Sequence, residues 1–167
     1  MTAASLVSVI MPAYNAEMYV ERAIESILNQ MYRDFEFIII DSSTDATSEI
    51  IAGYQQIDDR IRFRYQENLG LVDALNIGCR LSRGKYIARM DADDVSLPER
   101  LQKQIARAME RHPEVGIIGK WTEYIDRRGT PLGKLCMPTA RSDRLDSNFK
   151  NCIVHSSVMM RRDFCEC

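Results

Sequence analysis

The segment "FEFIIIDSSTDATSEIIAGY", residues 35–54, predicts the fold because it joins a buried strand to an amphipathic helix. Its first six residues are almost continuously apolar, as expected for an interior strand of a parallel sheet with both faces covered. The polar run that follows offers Thr44 or Asp45 as the N-cap of a helix. The apolar face of that helix would comprise Ile50, Ile51 and Tyr54.

The same alternation of strand and helix repeats on both sides of this segment. The other predicted strands are "LVSVIM" (6–11), "IRFRY" (61–65) and "YIARM" (86–90), each followed by a helical pattern. "IRFRY" alternates apolar and basic residues, which is typical of an edge strand. Gly84 is expected to end the third helix, and Pro98 suits the first turn of the fourth. Four strand–helix units in succession predict an α/β fold with a mostly parallel sheet flanked by helices.

Beyond residue 115 the pattern changes. "VGIIGKWTEYIDRRGTPLG" predicts a strand, a hairpin-like turn at "RRG" and the start of another strand, and Trp121 is expected in the core. "NCIVHSSVMMRRDF" (151–164) predicts a further strand with His155 near its start. Internal repeats, low-complexity tracts and linkers are absent from the sequence, so residues 1–167 are interpreted as one domain.

Composition restricts the class of protein. The chain has 167 residues, of which 46% are hydrophobic and 28% charged, and its net charge of -2 gives no reason to expect a nucleic-acid partner. No apolar run approaches the roughly 18 residues of a transmembrane span, and no basic region precedes the N-terminal apolar run as in a secretory signal. Five cysteines without a C-x-x-C pair favour reduced thiols and a cytoplasmic location.

Polar residues follow the predicted strands at one edge of the sheet. In open α/β sheets, ligands bind outside the carboxyl ends of the strands. The residues expected there are Pro12, Ala13, Tyr14 and Asn15 after the first strand, Asp41 and Ser42 after the second, and Asp91, Ala92, Asp93 and Asp94 after the fourth. The candidate site therefore lies at this edge.

The acidic stretch "DADD" (91–94) admits several interpretations. A solvated loop with Asp94 or Ser96 as helix N-cap would account for one acid but not for three. An EF-hand loop requires glycine where Ser96 stands, and an aspartyl-nucleophile phosphatase would carry its acids after the first strand. A D-x-D at a strand end suits a catalytic Mg²⁺ or Mn²⁺ site that leaves ligand positions open for a diphosphate. Phosphate-loop and dinucleotide-binding glycine motifs do not occur.

Five blocks in order carry a resemblance to a known family. They are "VSVIMPAYN" (7–15), "DFEFIIIDSSTDAT" (34–47), "NLGLVDALNIG" (68–78), "GKYIARMDADDVSLPERLQKQI" (84–105) and "HSSVMMRRD" (155–163). Over about residues 6–164 the chain resembles family 2 glycosyltransferases of the GT-A fold. The resemblance divides the chain into a sugar-donor-binding part, 6–119, and a partial acceptor-side part, 120–167.

The resemblance also implies a reaction and its residues. It implies transfer, with inversion, from a nucleotide-diphosphate sugar (most often a UDP-sugar) to a hydroxyl of a saccharide or lipid-linked acceptor, with Mn²⁺ or Mg²⁺ as cofactor. Pro12, Ala13 and Tyr14 would line the nucleoside pocket, Asp41 would bind the base and Asp91, with Ala92 beside it, would lie near the ribose and sugar. Asp93 would bind the metal, Asp94 would either support these two acids or contact the donor sugar, and His155 would face the acceptor. Lipid-linked acceptors allow peripheral attachment to a membrane.

The chain departs from the family pattern in two places. After the second strand it has "DSSTD" where the family has a motif one position longer, so the family acid that Asp41 represents is ambiguous. Family members continue past the "RRD" region to an acidic segment that supplies the catalytic base, which we therefore expect beyond Cys167. The alternative to an active transferase is a truncated, non-catalytic module that binds metal and nucleotide sugar.

Overall fold

The computed structural model describes residues 6–67, 70–106, 112, 114–136 and 153–165. Its strands are β1 (Val7–Ala13), β2 (Phe35–Asp41), β3 (Ile61–Tyr65), β4 (Tyr86–Arg89), β5 (Ile117–Ile118), β6 (Thr122–Ile125), β7 (Pro131–Leu135) and β8 (Met159–Arg161). Its α-helices are α1 (Val20–Leu28), α2 (Thr47–Ile57), α3 (Leu71–Leu81) and α4 (Arg100–Gln104). None of the helices in these ranges is long and apolar enough to cross a bilayer.

Six strands form the main sheet, in the order β3-β2-β1-β4-β8-β5. The first four are parallel, whereas β8 is antiparallel to both β4 and β5. The predicted α/β fold with a mostly parallel sheet is therefore confirmed, and β3 lies at the edge as its alternating sequence predicted. The hairpin β6–β7 forms a separate two-stranded sheet.

The centre of the core is β2, in which every residue is buried. Successive side chains of a strand point to opposite faces of its sheet. Phe37 and Ile39 accordingly join the larger core cluster, which includes the apolar stripe of α1, while Ile38 and Ile40 pack with Ala74 of α3 on the other face. Helices cover both faces, which explains the continuous apolar run of this strand.

Two helix boundaries differ from the predicted ones. Helix α2 begins at Thr47, where the carboxylate of Asp45 accepts the backbone N–H at 3.0 Å, so this acid acts just outside the helix. Helix α3 ends at Leu81, before Gly84. Gly84 instead permits close packing, because a Cβ there would lie 2.5 Å from the backbone nitrogen of Ser8.

The C-terminal part of the chain corrects two further predictions. The hairpin is confirmed, but Trp121 is 59% exposed, so its assignment to the core was wrong. The physical reason is that β6 and β7 pair with each other and not with the main sheet. His155 begins a 3₁₀ turn (His155–Ser157) that precedes β8 instead of lying within a strand. Ala108 and Met109, expected on the apolar face of the fourth helix, lie outside the described residues, as do Asn68, Cys152 and Cys167.

A buried carboxylate joins β1, β2 and the turn before β4. Glu36 is 7% exposed and accepts hydrogen bonds at 2.6 Å from the Ser8 hydroxyl, the Arg83 backbone N–H and the Arg62 guanidinium. Burial acts to raise the pKa of Glu36, but these three interactions outweigh it, and the pKa lies below its usual value. The ionised carboxylate is therefore part of the folded structure.

We expect Glu36→Ala to lower the free energy of unfolding by about 2 kcal/mol, because it leaves buried N–H and O–H groups unpaired. Since folding lowers the pKa, the ionic part of the contribution is present above the unfolded value of 4.5 and is lost as pH falls through the folded value. Urea unfolding at neutral and acidic pH measures both effects. Glu49→Ala, at an exposed position of α2, is the control; equal stability of the two variants would contradict the prediction.

Candidate functional site

The carboxyl ends of three parallel strands bring the predicted site residues to one edge of the sheet. Ala13 at the end of β1 pairs with Asp41 at the end of β2. On the other side of β1, Ile10 pairs with Arg89, the last residue of β4. The loop that contains residues 91–94, hereafter the acidic loop, therefore begins beside the end of β1.

The loops after β1 and β2 are hydrogen-bonded to each other. The backbone N–H of Asn15 donates to the Ser43 hydroxyl at 2.8 Å, and the Asn15 side-chain oxygen accepts the Thr44 N–H at 2.9 Å. Asn15 has a φ of 49°, in the left-handed region that asparagine tolerates better than most residues. This turn leaves Tyr14 56% exposed, while Pro12 is half-buried and Ala13 is buried.

Asp41 is fully buried, with an exposure of 0%. Its carboxylate accepts the Ser43 N–H at 3.1 Å and the hydroxyls of Ser43 and Ser48. These bonds hold the turn between β2 and α2, so Asp41 stabilises the start of the following helix. A contact between Asp41 and a nucleobase stays a prediction.

The four residues of the acidic loop have different environments. Asp91 forms an ion pair with Arg89 at 2.9 Å, and Ala92 is buried. Asp94 is half-buried and accepts a hydrogen bond from the Ser156 hydroxyl. Asp93 is exposed, and within the described ranges its carboxylate has no hydrogen bond or ion pair. Asp93 is thus the acid of this loop that is available to an added ligand.

The charges of the loop affect one another. Burial, together with the charges of Asp93 and Asp91, raises the pKa of Asp94, against the hydrogen bond from Ser156 and the charge of Arg100. Removal from water lowers the pKa of Arg100 to about 10, although the nearby Asp94 and Asp91 favour its charged form. Arg100 is therefore still a cation at neutral pH, beside the acidic loop.

Two side chains that the sequence did not single out hold this loop in place. Arg100 donates to the carbonyl oxygens of Arg89 at 2.7 Å and Val158 at 3.3 Å. The buried amide of Gln30 donates to the Leu97 carbonyl at 2.8 Å and accepts the Leu101 N–H at 3.1 Å. Neither residue belongs to a spacing pattern, and their partners are known only from the tertiary structure.

A cavity of about 290 Å³ lies between the acidic loop and the hairpin. Asp93, Asp94 and Val95 line it on one side, and residues 123–127 line it on the other. His155 is exposed and directly precedes Ser156, the hydrogen-bond partner of Asp94. A larger cavity of about 570 Å³ lies near Leu6, Gly84 and Arg162, at the opposite edge of the sheet, and includes none of the predicted site residues.

The acidic loop can hold a hard divalent cation only if water or a bound ligand supplies the rest of the oxygen atoms around the ion. The described part of the chain contains no group of three or more His, Cys, Asp or Glu side chains placed to hold a metal ion. Asp93 does offer an unpaired carboxylate, the oxygen ligand that Mg²⁺ and Mn²⁺ accept. Because Mg²⁺ is usually held by one or two carboxylates with water and substrate phosphate, a single exposed acid is sufficient for such a site.

A mostly parallel sheet with acidic residues beyond the carboxyl ends of its strands is the arrangement in which open α/β folds bind their ligands. A model of glycosyl transferase family 2 matches residues 8–167. The chain belongs to this family.

Several known proteins are similar to the chain. It is 38% identical over 162 residues to an uncharacterized glycosyltransferase of Methanocaldococcus jannaschii, covering 93% of the chain and 56% of the relative. It is 37% identical over 157 residues to a putative teichuronic acid biosynthesis glycosyltransferase of Bacillus subtilis, covering 93% and 61%. An O-antigen biosynthesis glycosyltransferase of Escherichia coli is 35% identical over 160 residues, covering 95% and 62%. The chain thus spans between half and two thirds of the length of these relatives.

Solved structures show the same fold. S. aureus TarS in complex with UDP-GlcNAc matches 64% of this chain and 32% of its own, with a TM-score of 0.59 and 27% identity. A second TarS structure matches 96% of this chain and 48% of its own, with a TM-score of 0.75 and 21% identity. The mannosyltransferase PcManGT from Pyrobaculum calidifontis, in complex with GDP-Man and Mn²⁺, covers 99% and 47%, with a TM-score of 0.70 and 21% identity.

Proposed function

We propose that the chain is the sugar-donor-binding part of an inverting, metal-assisted glycosyltransferase that uses a UDP-sugar. The observation that carries this proposal is the acidic loop, in which Asp93 is the exposed acid that has no hydrogen bond or ion pair with a described residue, and it lines a cavity. The UDP-GlcNAc bound by TarS supports a uridine nucleotide. The names of the Bacillus and Escherichia relatives support an acceptor in the biosynthesis of a surface polysaccharide.

Each acid of the loop has a distinct part in this proposal. Asp93 would supply a carboxylate oxygen to Mn²⁺ or Mg²⁺, and water and the donor diphosphate would supply the remaining ligands. When bound, the metal stabilises the negative charge that gathers on the leaving diphosphate. Asp91 is held by Arg89 and Asp94 by Ser156. In the proposed complex these two carboxylates contact the sugar and ribose of the donor.

The transfer itself breaks the bond between the anomeric carbon of the sugar and the diphosphate oxygen, which keeps both electrons. The acceptor hydroxyl oxygen forms the new bond to that carbon from the opposite face and gives its proton to a general base. We assign no residue of this chain as the base. His155 is retained in this proposal as the residue that faces the acceptor.

Calorimetry combined with a release assay tests the proposal. The chain is titrated with UDP, UDP-GlcNAc, UDP-glucose and GDP-mannose, with and without Mn²⁺, and the release of UDP from each UDP-sugar is followed in parallel. We expect Mn²⁺-dependent binding of at least one UDP-sugar. Binding without release would indicate the non-catalytic module, and absence of binding by every nucleotide would refute the proposal.

A further inference from the structure

The cavity of about 570 Å³ lies at the amino ends of the parallel strands, at the edge of the sheet opposite the acidic loop. The residues that directly precede β1, β2 and β4 line it, namely Leu6, Asp34 and residues 83–85. Because β8 is antiparallel to β4, its end reaches the same edge, and residues 161–163 also line the cavity. The two edges are separated by the seven residues of β1, or about 20 Å. This cavity, hereafter the basic cavity, is therefore separate from the donor site.

Positive charge is in excess in the basic cavity. Its described lining has four cationic side chains and two carboxylates, the cations being Arg83, Lys85, Arg161 and Arg162 and the carboxylates Asp34 and Asp163. This excess of two positive charges contrasts with the net charge of -2 of the whole chain. A cleft lined by charges of one sign concentrates ions of the opposite sign. The basic cavity is thus suited to an anion.

Neutral groups hold two of these cations in place. The ring of Tyr86, which is buried, has the ammonium nitrogen of Lys85 5.3 Å from its centre and the guanidinium carbon of Arg161 at 5.8 Å. Both distances are within the range of cation–π attraction. Arg161 also donates from Nε to the Val115 carbonyl oxygen at 3.0 Å. These contacts position the two side chains without cancelling their charge.

The other two cations lie where the end of β8 meets the turn before β4. The backbone N–H of Arg162 donates to the Lys85 carbonyl oxygen at 3.0 Å, and its Nη1 donates to the Ser82 carbonyl oxygen at 3.2 Å. Arg83 is exposed, and within the described ranges its guanidinium forms no hydrogen bond or ion pair. A guanidinium presents its N–H donors in a planar fork that matches a phosphate group. The donors of Arg83 are therefore available to a ligand.

We propose that the basic cavity binds a phosphate-bearing anion. A phosphate monoester has a charge between about −1.5 and −2 at neutral pH and three strongly accepting oxygens, so it matches the excess charge and the several donors of the lining. Arg83 and Lys85 donate to these oxygens. A soluble phosphate compound and a phospholipid headgroup share this chemistry. The inference does not require a nucleotide sugar at the acidic loop.

An NMR titration with inorganic phosphate tests for the site. EDTA is present, so that no divalent cation can hold phosphate at the acidic loop. We expect the backbone amide signals of residues 83–85 to shift in the unaltered chain. In the double variant Arg83→Gln/Lys85→Gln the dissociation constant for phosphate should rise about tenfold or more, because hydrogen bonds from two cations are lost. Both residues are exposed, so the melting temperature should stay nearly unchanged.

Two further variants separate a local charge effect from a change in net charge or folding. Arg64→Gln/Arg128→Gln removes the same charge from exposed positions in β3 and in the hairpin turn, and it should bind phosphate as the unaltered chain does. Asp34→Asn removes a carboxylate from the lining and should bind phosphate about threefold more tightly. A gain in affinity cannot result from partial unfolding.

Sedimentation with lipid vesicles distinguishes the two sources of phosphate. Vesicles of equimolar phosphatidylcholine and phosphatidylglycerol are compared with vesicles of phosphatidylcholine alone, because anionic lipids attract Lys and Arg side chains. If the unaltered chain sediments with the anionic vesicles only, and Arg83→Gln/Lys85→Gln does not, the ligand is a phospholipid headgroup. Binding of inorganic phosphate at residues 83–85 without sedimentation would identify a soluble phosphate compound. Either result supports the inference.

Other results would overturn the inference. It is wrong if neither inorganic phosphate nor the anionic vesicles bind the unaltered chain, or if Arg83→Gln/Lys85→Gln binds both as the unaltered chain does. Phosphate-induced shifts confined to the acidic loop would contradict it as well. The proposed function is judged separately by the titrations with nucleotide sugars. A chain that binds phosphate in the basic cavity but no nucleotide sugar would refute the proposed function and leave this inference standing.

Discussion

Replacing Asp93 with alanine is expected to weaken Mn²⁺-dependent UDP binding by about 100-fold or more. Loss of a residue that merely supports a metal ligand typically costs about 10- to 100-fold in metal affinity, and removal of the ligand itself should cost at least as much. The two neighbouring acids of the loop are already bonded, Asp91 to Arg89 and Asp94 to Ser156, so neither is free to replace Asp93. Isothermal titration of UDP at saturating Mn²⁺ measures the effect.

The same substitution should leave stability nearly unchanged. Asp93 is exposed, and surface substitutions away from special features usually change the free energy of unfolding by less than about 0.5 kcal/mol. Asp59→Ala, which removes an exposed carboxylate from the turn before β3, controls for the change in net charge. Unchanged Mn²⁺-dependent UDP affinity in Asp93→Ala would refute its assignment as a metal ligand.

The second large effect is expected at Arg100. Arg100→Leu removes the donors to the carbonyl oxygens of Arg89 and Val158, and it also removes the cation next to Asp91 and Asp94. Removing one partner of a buried charged group typically costs about 3–5 kcal/mol, because the remaining polar groups stay buried and unpaired. We expect a loss of about 3 kcal/mol in the free energy of unfolding, measured by urea denaturation at neutral pH.

A neighbouring cation of the same helix provides the control. Lys103 forms an ion pair with Glu99 near the surface, and exposed pairs of this kind contribute between about 0 and 1 kcal/mol. Lys103→Leu should therefore be nearly as stable as the unaltered chain. Equal losses in the two variants would mean that Arg100 does not hold β4 and β8 together. Arg100→Lys should be intermediate, since it keeps the charge but loses the planar group that reaches two carbonyls.

Local sequence patterns were sufficient to predict strands whose burial follows one simple rule along their whole length. The continuous apolar run of β2 predicts a strand covered on both faces, and the alternating run of β3 predicts an edge, as observed. Trp121 was misassigned because its position depends on which strands pair with β6. That choice is made by contacts between distant residues, and an aromatic side chain by itself does not reveal it.

In the candidate site, too, some features were predictable from the sequence and others were not. The rule that ligands bind at the carboxyl ends of parallel strands was enough to select Asp41 and residues 91–94 from the sequence, and these residues do lie at one edge. The different environments of the three acids in the loop could not be predicted from the sequence. Asp91, Asp93 and Asp94 look alike in sequence. In the structure Arg89 holds Asp91, Ser156 holds Asp94, and Asp93 is exposed.

The sequence by itself determined the order of the strands and helices, the edge where polar residues collect and the family. These features follow from hydrophobic periodicity and from short motifs, which are local properties of the chain. Only the tertiary structure decided that Asp41 is internally hydrogen-bonded and that Gln30 and Arg100 support the acidic loop. These features depend on hydrogen bonds between residues far apart in the chain, which form only once the sheet has brought its loops together.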